Sequence, residues 1–167
     1  LLIRPEEPRD YQSIHQLTIR AFAPMSFSDG TEAPLIDLLR ESGDLTISLV
    51  AEVRGKLAGH VAFSPVAIDG KHDGWFGLGP ISVEPERQRQ GIGRALVKAG
   101  LKLLEEDGAR GCVLTGNPAI YSRFGFKSDG QLTYGQIDPR EVQWIVFNGD
   151  PPIGILDFAP AFGAQHS

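Results

Sequence analysis

The chain has 167 residues, 41% hydrophobic and 22% charged, with a net charge of −5 and one cysteine. These values predict one globular domain over residues 1–167, exclude an internal disulfide, and leave no broad basic face for nucleic acid. No apolar run approaches the ~20 residues of a membrane helix and no signal-peptide pattern is present, so a cytoplasmic site is expected.

Residues 10–23 place Tyr11, Ile14, Thr18, Ala21 and Phe22 on one helical face, and Pro24 ends that helix. "SDGTEAPLIDLLRESG" predicts a second helix, with Asp29 and Glu32 at capping-box spacing and Gly43 just past its end. "LTISLVAEVRGKLAGHVAFSPVAIDG" reads as two strands joined by a tight turn at Arg54-Gly55-Lys56. After the turn at "DGKHDG", a third strand runs from about Trp75 to Val83. Pro80 has no N–H for a ladder, so this strand is expected to bulge or splay near its middle.

The basic stretch "RQRQGIGRAL" follows, and then a helix whose Ile92, Ala95, Leu96, Ala99 and Leu103 predict the core face. Gly108 ends it. "GCVLTG" reads as a short strand. Asn117 is the predicted cap, and Pro118 the first residue, of a short helix that carries Tyr121 and stops at Gly125. Further strands are expected near "QWIVF" and "GILDF". Helices, strands, then strand–helix–strand order predicts an α/β or α+β domain on a mixed sheet.

The glycine turn at the start of a helix suits an anion, because helix-terminal N–H groups have no partner there. Arg87, Arg89, Arg94 and Lys98 crowd the same place. A dinucleotide fingerprint needs a third glycine where Leu96 stands, and a Walker loop needs a Gly-Lys-Ser/Thr that is absent. A third pattern, Gln/Arg-x-x-Gly-x-Gly/Ala, is met by Gln88, Gly91 and Gly93.

On those residues the segment from Leu78 to Phe126 resembles the pyrophosphate-binding core of the GNAT superfamily of acyl-CoA-dependent N-acetyltransferases. Two separated parts carry the resemblance, "VEPERQRQGIGRAL" and "NPAIYSRFGF". "GHVAFSPV" and "FAPAFG" are also similar to a bacterial subgroup of small acetyltransferases. The resemblance implies a GNAT-like mixed, mostly antiparallel sheet flanked by helices. Its fourth strand, about Leu78 to Val83, is expected to part from its fifth, about Gly111 to Thr115.

Acetyl-CoA as donor, CoA as product and no metal are implied. Gln88, Arg89, Gln90, Gly91, Ile92, Gly93 and Arg94 are expected at the pyrophosphate. Ile81, Ser82 and Val83 are expected beside the pantetheine arm, with Asn117 at the arm or at a water. Tyr121 matches the family's general acid near the sulfur, and Glu84 is a candidate base acting through water. His60 is expected to be a packed histidine, His72 a turn residue, and Cys112 a buried hydrophobe. The first two helices match the acceptor side, where Asp29, Glu32, Asp37 and Glu41 would attract a cationic amine. The expected reaction is direct attack of a primary amine in a ternary complex. A non-catalytic acyl-CoA-binding module and a transferase for a longer acyl group are the alternatives. Expected partners are a small-molecule or peptide amine, with no nucleic acid and no membrane, and a homodimer in keeping with the family's habit.

Overall fold

The computed structural model describes residues 1–26 and 28–164. Its elements are β1 (Leu2–Pro5), α1 (Tyr11–Phe22), α2 (Glu32–Ser42), β2 (Ile47–Val53), β3 (Lys56–Pro65), β4 (Ala67–Ile68) and β5 (Trp75–Val83). These are followed by α3 (Ile92–Glu106), β6 (Gly111–Thr115), α4 (Pro118–Tyr121), β7 (Leu132–Thr133), β8 (Val142–Val146), β9 (Gly154–Asp157) and α5 (Pro160–Ala164). Six strands form one sheet in the order β1-β2-β3-β5-β6-β8, and β4-β9-β7 form a smaller one. Every pairing in the large sheet is antiparallel except β5 with β6. The mixed, mostly antiparallel architecture flanked by helices is the one expected.

The parting of β5 from β6 comes where the sequence places it. The two strands pair only at Trp75↔Gly111, Phe76↔Cys112 and Gly77↔Val113. From Leu78 onward β5 pairs with β3 alone. Pro80 offers no N–H to either neighbour, and the β3–β5 register shifts between Val61 and Phe63, beside it. A gap between two parallel strands follows, open at the end that leads into the glycine turn.

One face of the sheet carries α3. Ile92, Leu96, Val97, Leu101 and Leu104 pack there with Val61, Phe63 and Leu114. The expected core face of α3 needs correction. Ile92 and Leu96 are buried, but Ala95, Ala99 and Leu103 are only partly so, and the buried stripe runs on through Val97, Gly100, Leu101 and Leu104. Gly100 decides that rotation, since a Cβ there would collide with the Phe63 ring. The helix can approach β3 closely only on its glycine side.

The opposite face is covered by α1 and α2, where Ile14 and Ile36 meet Val50. The expected capping box on α2 is not formed. Its N-cap is Thr31 without a side-chain cap, Asp29 accepts from Thr31 N–H (3.1 Å), and Glu32 instead accepts from Ser28 Oγ (2.6 Å). Gly43 ends α2 in the left-handed conformation, at φ 82°. The short strands β1 and β7 lie beyond the sequence reading, and β4, read there as the end of the second strand, is separate from β3 and belongs to the smaller sheet. Among the described residues no helix is long and apolar enough to cross a membrane.

Candidate active site

The turn between β5 and α3 is wound by two residues of positive φ, Arg89 at 66° and Gly91 at 86°. Gly91 is the N-cap of α3, so a residue with a Cβ would be strained there. The first helical bond runs from Ala95 N–H to Gly91 C=O at 3.0 Å. The N–H groups of Ile92, Gly93 and Arg94 therefore precede the α3 ladder and have no partner within it. Packing asks for neither glycine. A Cβ on Gly93 would make only ordinary contacts, 3.6 Å from Val83 and 3.8 Å from Ile81, and one on Gly91 would meet nothing within 4 Å. The space beside Gly91 is open and that beside Gly93 is uncrowded, a cradle of donors with room for an anion.

That cradle is one wall of a cavity of about 510 Å³. Gln88, Arg89, Gly91, Ile92, Gly93 and Arg94 line it from the turn, Ile81 and Val83 from β5, and Tyr121 from α4. Glu84 N–H bonds back to Ala58 C=O (2.8 Å) on β3, and His60↔Ser82 is a cross-strand pair. By strand alternation the main-chain groups of Ile81 and Val83 face the other way, toward the gap. Val83 C=O already accepts from Gln88 Nε2 at 3.3 Å.

Tyr121 ends α4, with its ring edge-on to Phe126 (6.2 Å between centroids) and tilted on Phe124 (6.3 Å). Burial raises its phenol above the ordinary tyrosine range, so it stays protonated at neutral pH. Among the described residues, five that the sequence did not single out also line it: Met25, Val97, Ile120, Arg123 and Phe124. Met25 arrives from the α1–α2 loop, and no local pattern announces that.

Four predicted residues stand outside this wall. Ser82 turns to the α1 face, where it is 2% exposed and its Oγ donates to Thr18 Oγ1 at 3.4 Å. Gln90 is exposed beside the cradle. Asn117 caps α4, its Oδ1 accepting from Ala119 N–H at 2.9 Å. Glu84 lines a different, strongly polar cavity and holds Arg20 with both oxygens, at 2.9 and 2.8 Å. The Arg20 guanidinium lowers the Glu84 carboxyl below its usual range, which makes it a weaker base.

Three other side chains fall as expected. His72 is exposed in its turn. Cys112 is fully buried, and burial raises its thiol far above the range in which a thiolate forms. His60 is also fully buried. Ser48 Oγ donates to Glu6 at 2.6 Å, so its bond with His60 Nε2 (2.7 Å) must take its proton from the imidazole. The bare nitrogen, Nδ1, is then buried without a partner.

Burial holds the His60 pKa down at about 4. Its unfolded value is about 6.5, so between those values the unfolded chain binds the extra proton and stability rises with pH. Acidification from pH 7 to 4 should remove about 3 kcal/mol through this one group. Urea denaturation of the parent and of His60→Gln across that range checks it. The variant should lose less stability on acidification, and equal losses would refute the assignment.

Where the acceptor is expected, a cavity of about 410 Å³ lies between α1 and α2, lined by Thr18, Ile19, Phe22, Ala23, Ser28, Gly30, Glu32 and Ala33. Of the four predicted acids only Glu32 faces it. Asp37 pairs with His15 (2.7 Å) and Arg40 (3.2 Å), and Glu41 is exposed.

Residues 44–128 match the family model described as the acetyltransferase (GNAT) domain. The chain is 44% identical over 128 residues to "Uncharacterized N-acetyltransferase YhbS" of Escherichia coli (strain K12), covering 76% of this chain and 74% of that protein. Among solved structures it is similar to a GNAT family acetyltransferase from Brucella melitensis in complex with acetyl-CoA. That likeness has a TM-score of 0.87 and 45% identity over 96% of this chain and 97% of the other. It is also similar to YhbS from Escherichia coli in complex with CoA, with a TM-score of 0.89 and 35% identity over 97% and 91% of the two chains.

Proposed function

The chain belongs to the GNAT family of N-acetyltransferases, and from that premise we propose that it moves acetyl from acetyl-CoA to a primary amine by direct attack in a ternary complex. The observation that carries the reading is the cavity that joins the donor cradle of α3, the gap-facing main chain of Ile81 and Val83, and Tyr121. In this reading the N–H groups of Ile92, Gly93 and Arg94 hold the pyrophosphate, with Arg89 and Arg94 beside it. The pantetheine arm lies in the gap and pairs with β5 as an added strand would.

A neutral amine attacks the thioester carbonyl carbon. The carbonyl oxygen takes up negative charge, for which a main-chain N–H of the gap is the donor at hand. The C–S bond then breaks, the sulfur takes the Tyr121 phenol proton, and the new amide nitrogen gives up its extra proton. Water carries that proton out and returns one to Tyr121. Glu84 serves as base only through such water, weakened by Arg20. Glu32, the one acid among the described residues lining the α1–α2 cavity, would attract a cationic acceptor.

The engagement of Glu84 with Arg20 favours one rival, a module that binds acyl-CoA without turning it over. Incubation with acetyl-CoA and a panel of butylamine, phenethylamine, Nα-blocked lysine and a short peptide with a free N-terminus separates the two. Mass spectrometry should find at least one product 42 Da heavier, the difference between a hydrogen and an acetyl group. Binding without any acetylated product supports the module.

Ligand choice has its own check. Acetyl-CoA and CoA should each raise the melting temperature, because a ligand that binds only the native state stabilises it by mass action, by about 2.7 kcal/mol at a hundred times its Kd. NAD and ATP should give smaller shifts. A shift with either of them and none with CoA would sink the assignment.

A further inference from the structure

The turn between β6 and α4 contains an incomplete rung. Gly116 N–H donates to Glu141 C=O at 3.0 Å, extending the β6–β8 ladder by one residue. The return bond is missing, because Glu141 N–H closes a tight turn onto Asp138 C=O at 2.8 Å. The Gln143 side chain fills the vacancy, with Nε2 donating to Gly116 C=O at 2.9 Å. Gln143 is 1% exposed, and its Oε1 is buried with no hydrogen-bond partner. Methionine or leucine would pack there without a bare oxygen but would leave the Gly116 carbonyl without this donor, so what the glutamine adds is that one bond.

Gly116 is also the floor beneath Tyr121. A Cβ on Gly116 would stand 2.8 Å from Tyr121 Cε2 and 3.2 Å from Cδ2. Both Ile120 N–H (3.0 Å) and Tyr121 N–H (3.2 Å) return to Asn117 C=O. Helix α4 is a single turn of four residues, too short to hold its own position. The place of the Tyr121 ring therefore follows the backbone at Gly116 and Asn117, and Gln143 is the side chain that ties that backbone to the sheet.

We propose that Gln143 is a positioning residue for acetyl transfer, pinning the Gly116 carbonyl so that the Tyr121 ring keeps one seat at the cavity. The proposal rests on the reading of Tyr121 as general acid. A misplacement of about 1 Å at a reacting group is worth about 10²-fold in rate, so a tether of this kind matters to kcat even though Gln143 touches no substrate.

The test is Gln143→Met, which keeps the volume and removes both the donor and the bare oxygen. Kinetics use acetyl-CoA and the best acceptor of the amine panel, with chemistry rate-limiting. The expected result is a melting temperature within about 4 °C of the parent's, because removal of the bare oxygen offsets the lost bond to Gly116, a CoA Kd within about twofold, and kcat lowered about 10–100-fold. In the Tyr121→Phe background the same substitution should cost less than about twofold, because no hydroxyl remains to misplace. Gln143→Glu is the second variant. Its buried carboxyl donates to Gly116 C=O while protonated and stops when ionised, so kcat relative to the parent should fall as pH rises. Equal losses from Gln143→Met in both backgrounds, or no loss of kcat, overturn the proposal and leave Tyr121 its role. So does a loss that tracks a fall in melting temperature and is not restored by Gln143→Glu at low pH. An unchanged kcat in Tyr121→Phe alone overturns the general-acid reading and this inference with it.

Discussion

Tyr121→Phe should lower kcat about 10²–10⁴-fold and leave CoA affinity nearly unchanged. The substitution keeps the ring against Gly116, Phe124 and Phe126 and removes only the hydroxyl. Among the described residues that hydroxyl makes no hydrogen bond to the protein, so the fold loses nothing by its removal and no buried partner is orphaned. The phenol is held above its usual range by burial, which keeps its proton available at neutral pH. If CoA binding uses the hydroxyl at all, its loss should cost no more than one hydrogen bond, about 0.5–1.5 kcal/mol. The measurement pairs kcat for the best acceptor with the CoA Kd in both proteins, with chemistry shown to be rate-limiting. An unchanged kcat removes Tyr121 from the mechanism, and a parallel loss of kcat and CoA affinity reassigns it to structure.

The second large effect is expected at the cradle. Gly91→Val puts a β-branched side chain at φ 86° and into the open space beside the α3 N-terminus. The left-handed conformation costs an L-residue about 1–2 kcal/mol, which for a chain of this size lowers the melting temperature by roughly 2–8 °C. Binding should suffer far more. Each hydrogen bond to a charged group is worth about 1.5–3 kcal/mol. Losing two of them as the pyrophosphate is pushed away weakens CoA by roughly 10²-fold or more. Isothermal titration with CoA, beside circular dichroism, checks both parts. A Kd equal to the parent's with an unchanged spectrum would show that the anion does not approach Gly91.

Much of the architecture that positions the cavity is written in adjacent residues. Gly91 must take positive φ, Pro80 has no donor, Asn117-Pro118 caps and starts a helix, and Gly43 ends one. Each acts within a residue or two of itself, so the turn, the parted strand and the short helix can be read before any contact is known. The short strands β1 and β7, and the separation of β4 from β3, could not be read this way. With two to four residues each, these strands have no period to detect, and they exist because a longer strand offers them a ladder. β1 is held besides by Arg4, which bonds Asp10 (2.7 Å) and Glu52 (2.6 Å).

Side-chain roles divide along the same line. The sequence by itself determined the donor-rich turn and the tyrosine set just after a strand, since both are local runs of particular residue types. Tertiary structure alone decided which neighbours those residues meet. Glu84 looks free in the sequence, but Arg20, 64 residues away, holds it with both oxygens. Ser82 sits between two cavity residues, yet strand alternation turns it to the opposite face. Met25 enters the cavity from another helix connection, and Gln143 reaches Gly116 from a strand 27 residues on. The physical reason is range. Backbone dihedral preferences act between chain neighbours, whereas burial, ion pairing and pKa depend on segments that meet only when the sheet closes.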